Sequence, residues 1–217
     1  MKKQSLIAGG CIALGISTGG PPALDGLFRV LTPPLPPIVV VQHMPANFTG
    51  PFARRLDADS RLSIKEAEAG ELLRPNQVLI APGGRHLRLQ RRGNAVTVVL
   101  DDSDPVSSHR PSVDLMMQDA AAIFGSQTLG IIMTGMGHDG ANGCAAIRAA
   151  GGYVLGQDEA TSAVYGMNRA ALLRGGVDRQ FALPELPQLI AQHCARSASR
   201  LRRQDARRAS AAAGAAS

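Results

Sequence analysis

The sequence is poor in aromatic side chains, with no Trp, two Tyr (Tyr153 and Tyr165) and five Phe in 217 residues. Proteins that hold single-stranded nucleic acid stack bases on aromatic faces, so the shortage argues against that role and no nucleic-acid partner is expected. Cysteine is equally scarce. Cys11, Cys144 and Cys194 are scattered without CxxC or CxH spacing, which argues against a disulfide scaffold or a zinc site and points to a reduced, cytoplasmic protein. Each reads as a small apolar residue, Cys11 in a strand and Cys144 on a helix. There is no HExxH or comparable spacing, so His43 with His138 and Asp139 makes a poor metal site. Neither a metal nor another cofactor is expected. No apolar run reaches the ~20 residues that a membrane span needs.

Positive charge is present but localised. Of the net +6, most comes from Arg196, Arg200, Arg202, Arg203, Arg207 and Arg208, opposed there by Asp205 alone. The rest of the chain is close to neutral, so basicity says little about an active surface. The N-terminal Met1-Lys2-Lys3 and Leu6–Cys11 superficially resemble a signal peptide or lipoprotein site. Gly9 and Gly10 break the apolar run, however, and cleavage before Cys11 would cut into the first strand. The stretch therefore reads as the start of the fold.

Length suits a single domain with a sizeable core. Residues 12–16 are apolar or Gly and read as a buried strand. It runs into Gly15-Ile16-Ser17-Thr18-Gly19-Gly20, with Pro21-Pro22 opening a helix over 21–31. The Gly15-x-Ser17-x-Gly19 spacing matches a nucleophile elbow, which holds a serine above the sheet beside an oxyanion-binding amide. It equally suits a helix N-terminus where Ser17 caps and the glycines approach a phosphate, as in a non-catalytic mononucleotide-type binding module.

Ile38-Val39-Val40-Val41 is a β-branched run typical of a parallel strand buried on both faces, and it ends at Gln42-His43. Strand, helix and strand make a βαβ unit, so Ser17 and His43 emerge at the same carboxyl edge of the sheet. A helix follows over 47–56. Residues 62–100 read as a β-rich insertion rather than another βα repeat, with a hairpin turning at Arg91-Arg92-Gly93-Asn94. Pro82-Gly83-Gly84-Arg85-His86 is a candidate anion grip or a plain turn.

Ser112 caps a helix over 113–124, and a strand over 128–133 breaks into Thr134-Gly135-Met136-Gly137-His138-Asp139-Gly140. Helices over 141–149, 162–174 and 184–195 and a strand over 153–158 complete the pattern. Residues 196–217, rich in Arg, Ala and Ser, read as a disordered tail.

Ser17, His43 and Asp139 thus all follow buried strands. They supply a nucleophile, a base to take its proton and a carboxylate to hold the imidazole. Their order, Ser then His then Asp, differs from that of α/β-hydrolases.

The motifs Gly15–Pro21, Val41–Pro45, Ala81–His86, His109–Asp114, Thr134–Gly140 and Gln157–Ser162 together resemble the catalytic domain of the CheB chemotaxis methylesterases, over about residues 8–193. The resemblance implies a three-layer α/β/α fold with a mostly parallel central sheet. It implies hydrolysis of glutamate γ-methyl esters on methylated chemoreceptors with methanol release, in such enzymes often with deamidation of receptor glutamines. By the same resemblance Ser17 is the nucleophile, His43 the general base and Asp139 its orienting carboxylate; Thr18 and Met136 lie in the motifs lining the site, and their backbone amides are candidate oxyanion donors. The expected organisation is a catalytic domain over 1–195 and a tail over 196–217. Such enzymes carry a receiver domain before the catalytic one. This chain starts at the first catalytic strand, so basal activity without a phosphodonor is expected, or a receiver protein acting in trans. His138 stands where the family more often has Asn or a basic residue, and either perturbs Asp139 or faces solvent.

Overall fold

The computed structural model describes residues 10–214, and side-chain surroundings as far as residue 200. The reading of residues 1–9 lies outside the described residues. In chain order the elements are β1 (Cys11–Ile16), α1 (Gly20–Val30), β2 (Ile38–Gln42), α2 (Ala46–Ala58), β3 (Ser63–Glu66), β4 (Gln77–Ile80), β5 (His86–Arg92) and β6 (Ala95–Asp101). They continue with α3 (Val113–Phe124), β7 (Thr128–Ile132), α4 (Ala141–Ala149), β8 (Tyr153–Gln157), α5 (Met167–Leu173), β9 (Arg179–Phe181) and α6 (Leu186–Gly214). Seven strands form one sheet in the order β3-β4-β2-β1-β7-β8-β9, and every pairing in it is parallel.

The central strand β1 alternates in size as well as direction. Ile12, Leu14 and Ile16 join α1, α2 and α6 in one apolar layer, through Leu24, Phe28, Phe52, Leu56, Leu186 and Ile190. Cys11 and Ala13 face the other layer, with Met116 and Met117 of α3, Ile147 of α4 and Met167 of α5. Small residues on that face let α3 come close. A Cβ on Gly15 would lie 2.3 Å from Cγ1 of Val113, so only glycine admits the start of α3 at this height. That close approach aims the amino end of α3 at the carboxyl edge of the sheet.

The hairpin β5–β6 docks on the α3 side. Arg88 makes a forked ion pair with Asp119 of α3, Nε to Oδ2 at 2.6 Å and Nη2 to Oδ1 at 2.7 Å. This bidentate geometry suits guanidinium and carboxylate, and it anchors the chain that leads back to the site.

Four expectations need correction. Residues 62–100 are not all insertion, because β3 and β4 are parallel edge strands of the main sheet and only β5–β6 stands apart. The β4 run Val78-Leu79-Ile80 is buried throughout, like β2, whereas β3 is short and mostly polar and carries no apolar signature. The helix expected over 162–174 starts only at Met167, because residues 164–165 pair with Thr134 and Gly135 instead. The short edge strand β9 follows it and was not expected. The last helix does not stop at 195 but runs to Gly214, since Arg and Ala are strong helix formers and neither Pro nor Gly intervenes.

Candidate active site

The carboxyl ends of β1, β2 and β7 deliver Ser17, His43 and the 134–140 loop to one place. The β1–β2 register pairs Ile16 with Gln42, so Ser17 and His43 are the next residues on adjacent strands. Three further bonds lock the serine's backbone. Its N–H donates to the Thr134 carbonyl at 2.9 Å, and its carbonyl accepts from Gly20 N–H at 2.8 Å and from Gln42 Nε2 at 3.0 Å. Ser17 itself is not in a left-handed conformation. The positive φ falls two residues later, at Gly19 (φ 83°), where a Cβ would also meet the Ala163 side chain at 2.6 Å. Gly135 lets the facing loop press against the serine, since a Cβ there would lie 2.7 Å from Ser17 Cβ.

Asp139 is fully buried. Its Oδ1 accepts from Ser112 Oγ at 2.9 Å and Asp114 N–H at 3.0 Å, and its Oδ2 from Val113 N–H at 2.7 Å. The remaining contact joins Oδ2 to His43 Nε2 at 2.9 Å. The first turn of α3 is thus an anion site filled from within the chain, where amide donors and helix dipole both favour negative charge. Burial pushes the Asp139 pKa up, but the His43 bond, the Asp114 and Val113 amides and the charge on His43 outweigh it, so the carboxyl is held below its ordinary value.

The supports repeat one layer out. Asp114 accepts from Gly143 N–H at 2.8 Å and Asn142 Nδ2 at 3.0 Å, capping α4 as Asp139 caps α3. His86 is buried, accepts the Ser112 N–H at Nδ1 (3.1 Å) and reaches the Asp104 carbonyl through Nε2 (3.1 Å).

A carboxylate only accepts, so the His43–Asp139 bond places a proton on Nε2 and, in the uncharged ring, the lone pair on Nδ1. Nδ1 is buried and, among the described residues, has no partner. No hydrogen bond joins it to Ser17 Oγ in this structure; such bonds are often long before substrate binds. On the other side of the serine, Thr18 and Met136 are exposed.

The sequence picks out Ser17, His43 and Asp139, and all three lie at this edge. It misses Ser112, Asp114, His86 and His109 as parts of the site. The clue for Ser112 is its position as helix cap, which it fills while also donating to Asp139. His138 is exposed, and the Pro82–His86 loop is a structural turn in which Arg85 pairs with Asp102 and Gly83 N–H bonds Thr49.

His43, His109 and Asp139 bring ligand-type atoms within 4.8 Å of one another. The two rings are stacked nearly parallel, however, which does not converge their in-plane lone pairs on one ion, and both Asp139 oxygens are occupied. The thiols are no rival nucleophiles: burial pushes Cys11 up to about 12 and Cys194 up to about 11.

The family described as CheB methylesterase matches residues 12–190. A protein-glutamate methylesterase/protein-glutamine glutaminase of Bradyrhizobium diazoefficiens is 46% identical over 179 residues, covering 82% of this chain and 49% of the relative. One from Treponema denticola is 48% identical over 180 residues, covering 82% and 48%. The chain therefore spans about half the length of the curated relatives it matches. Among solved structures, the Thermotoga maritima CheB methylesterase catalytic domain superposes with a TM-score of 0.83 at 41% identity, over 85% of this chain and 98% of that one. Sequence match and extent of superposition agree: this chain belongs to the CheB methylesterase family and carries its catalytic fold.

Proposed function

We propose that this protein hydrolyses glutamate γ-methyl esters on the cytoplasmic domains of chemoreceptors, releasing methanol, with Ser17, His43 and Asp139 as its catalytic triad. The observation that carries the reading is the orientation of His43. Asp139 Oδ2 accepts from His43 Nε2 at 2.9 Å, which leaves a buried Nδ1 lone pair beside the strand end that bears Ser17.

In the first half-reaction His43 Nδ1 takes the Ser17 hydroxyl proton as Oγ bonds to the ester carbonyl carbon. The tetrahedral oxyanion collapses, His43 returns the proton to the methoxy oxygen, and methanol leaves a glutamyl ester on Ser17. Water then repeats the steps, with its proton taken by His43, and frees the glutamate γ-carboxylate. A glutamine side chain handled in the same way would release ammonia, the second activity in the relatives' names. The amides of Thr18 and Met136 are the proposed oxyanion donors. Among the described residues neither N–H has a hydrogen-bond partner, as an oxyanion site requires before substrate arrives.

A phosphate-binding loop fits less well. Ser17 and Gly20 N–H are both spent on carbonyls, so the turn does not offer the run of free amides that cradles a phosphate. Action at the cytoplasmic side of a receptor needs no membrane span, and among the described residues no helix is long and apolar enough to make one.

Methanol release from methylated receptor membranes tests the proposal. Ser17→Ala should lower it by about 10⁴-fold or more, and Ser17→Ala/His43→Ala should be no slower, because residues acting as a unit lose activity together. Near-normal release by a folded Ser17→Ala protein would overturn the mechanism.

A further inference from the structure

His109 lies on the site but has no part in the triad chemistry. Its ring is stacked on that of His43, with centroids 3.9 Å apart and planes 13° from parallel. The backbone that presents it is costly. Val106 and His109 close a two-residue hairpin turn, His109 N–H to the Val106 carbonyl at 2.9 Å and Val106 N–H to the His109 carbonyl at 3.1 Å. Both central residues, Ser107 (φ 50°) and Ser108 (φ 64°), have positive φ. That turn favours Asn and Gly, and two serines there are sterically unfavourable.

The ring is also fixed in rotation. His109 Nδ1 lies 2.6 Å from the Ser107 carbonyl, and a carbonyl only accepts, so Nδ1 carries a proton. Strain held by a surrounding network commonly marks a functional part. Directly opposite, His43 is gripped, among the described residues, at Nε2 alone, and one hydrogen bond leaves a ring free to rock about its axis.

We propose that His109 is a positioning residue for the catalytic base. Its flat face keeps the His43 ring in the plane that directs Nδ1 at Ser17, and its π cloud faces the imidazolium that forms when Ser17 gives up its proton. A cation over an aromatic face is attracted to it, so the contact strengthens as charge develops. The effect therefore belongs to kcat rather than to substrate binding. The proposal rests on the Ser17–His43 reading above.

Two substitutions separate the flat face from the turn. His109→Asn retains a donor for the Ser107 carbonyl but removes the face; His109→Phe retains the face but removes the donor. His109→Asn should lower kcat by about tenfold or more with KM within about twofold of the parent, while His109→Phe stays within about threefold in kcat. The rate of Ser17 labelling by a fluorophosphonate, which needs no receptor, should follow the same order. Should His109→Asn fail to fold, His109→Leu set against His109→Phe makes the same comparison between two apolar side chains, only one of them flat. Parent-like kcat in His109→Asn or His109→Leu, or a His109→Phe protein as slow as either, overturns the proposal. A parent protein that neither labels nor hydrolyses would instead strike at the triad reading itself.

Discussion

The two sides of His43 are built in opposite ways. On the Asp139 side nothing is free: the carboxylate is fully buried, receives three donors from the start of α3 and a fourth from the imidazole. On the Ser17 side the backbone is pinned but the surface is open, with Met136 72% exposed and Thr18 exposed beside it. On the triad proposed above, the difference matches the task each side would have. A charge used in every turnover is best fixed permanently, where desolvation is offset by donors that never leave. A nucleophile needs room for a substrate carbonyl, so its donors must wait unpaired.

Breaking the closed side should have the largest effect. Asp139→Asn turns an amide NH2 towards N–H donors or towards His43, and is expected to lower activity about 10³-fold or more and stability by about 3 kcal/mol. The same change alters the acid response. Folding lowers the Asp139 pKa, so it favours the charged form. That stabilisation is complete above the ordinary carboxylate value of about 4 and is lost as pH falls through the lower folded value. Melting temperatures from pH 7 down to 3 should fall less steeply for Asp139→Asn than for the parent. Identical acid slopes would place the pH dependence elsewhere.

A smaller effect is expected where the two sides meet. In Gly135→Ala the new methyl would lie 2.3 Å from Met167 Sδ and 2.7 Å from Ser17 Cβ. The thioether can swing away, but the serine Cβ cannot move without its strand. Displacement of the nucleophile should cost about 10- to 100-fold in kcat, against only about 1–3 kcal/mol in denaturant-measured stability. Unchanged kcat would show that the 134–140 loop yields freely.

The open side should tolerate most. Thr18→Ala retains the backbone N–H proposed as an oxyanion donor, so kcat should stay within about threefold of the parent. A loss beyond that would assign the Thr18 hydroxyl a part in the reaction.

Much of this architecture is legible in the chain itself. Buried runs such as Ile38–Val41 and Leu129–Met133 have a composition that suits only interior parallel strands, and the residues just past each run must emerge at one edge. Hence Ser17, His43 and Asp139 can be brought to a common place from local pattern alone. The edge strand β3 is not legible, because four residues with one buried side chain carry too little periodicity. Nor is the loss of the first turn of the helix expected from 162. Its residues have ordinary helical character, and it is Thr134 Oγ1, accepting the Val164 N–H at 3.0 Å, that draws the chain away.

The sequence by itself determined the strand ends, and with them which side chains reach the edge, because burial on both faces is a property of each segment's own composition. Tertiary structure alone decided how those side chains are held. The cradle of Asp139 spans 25 to 27 residues of chain, and the contact from Asp139 to His43 spans 96. Such bonds depend on how closely α3 approaches the sheet. That approach is set by the absent Cβ of Gly15 against Val113, a pairwise fit that neither segment reveals alone.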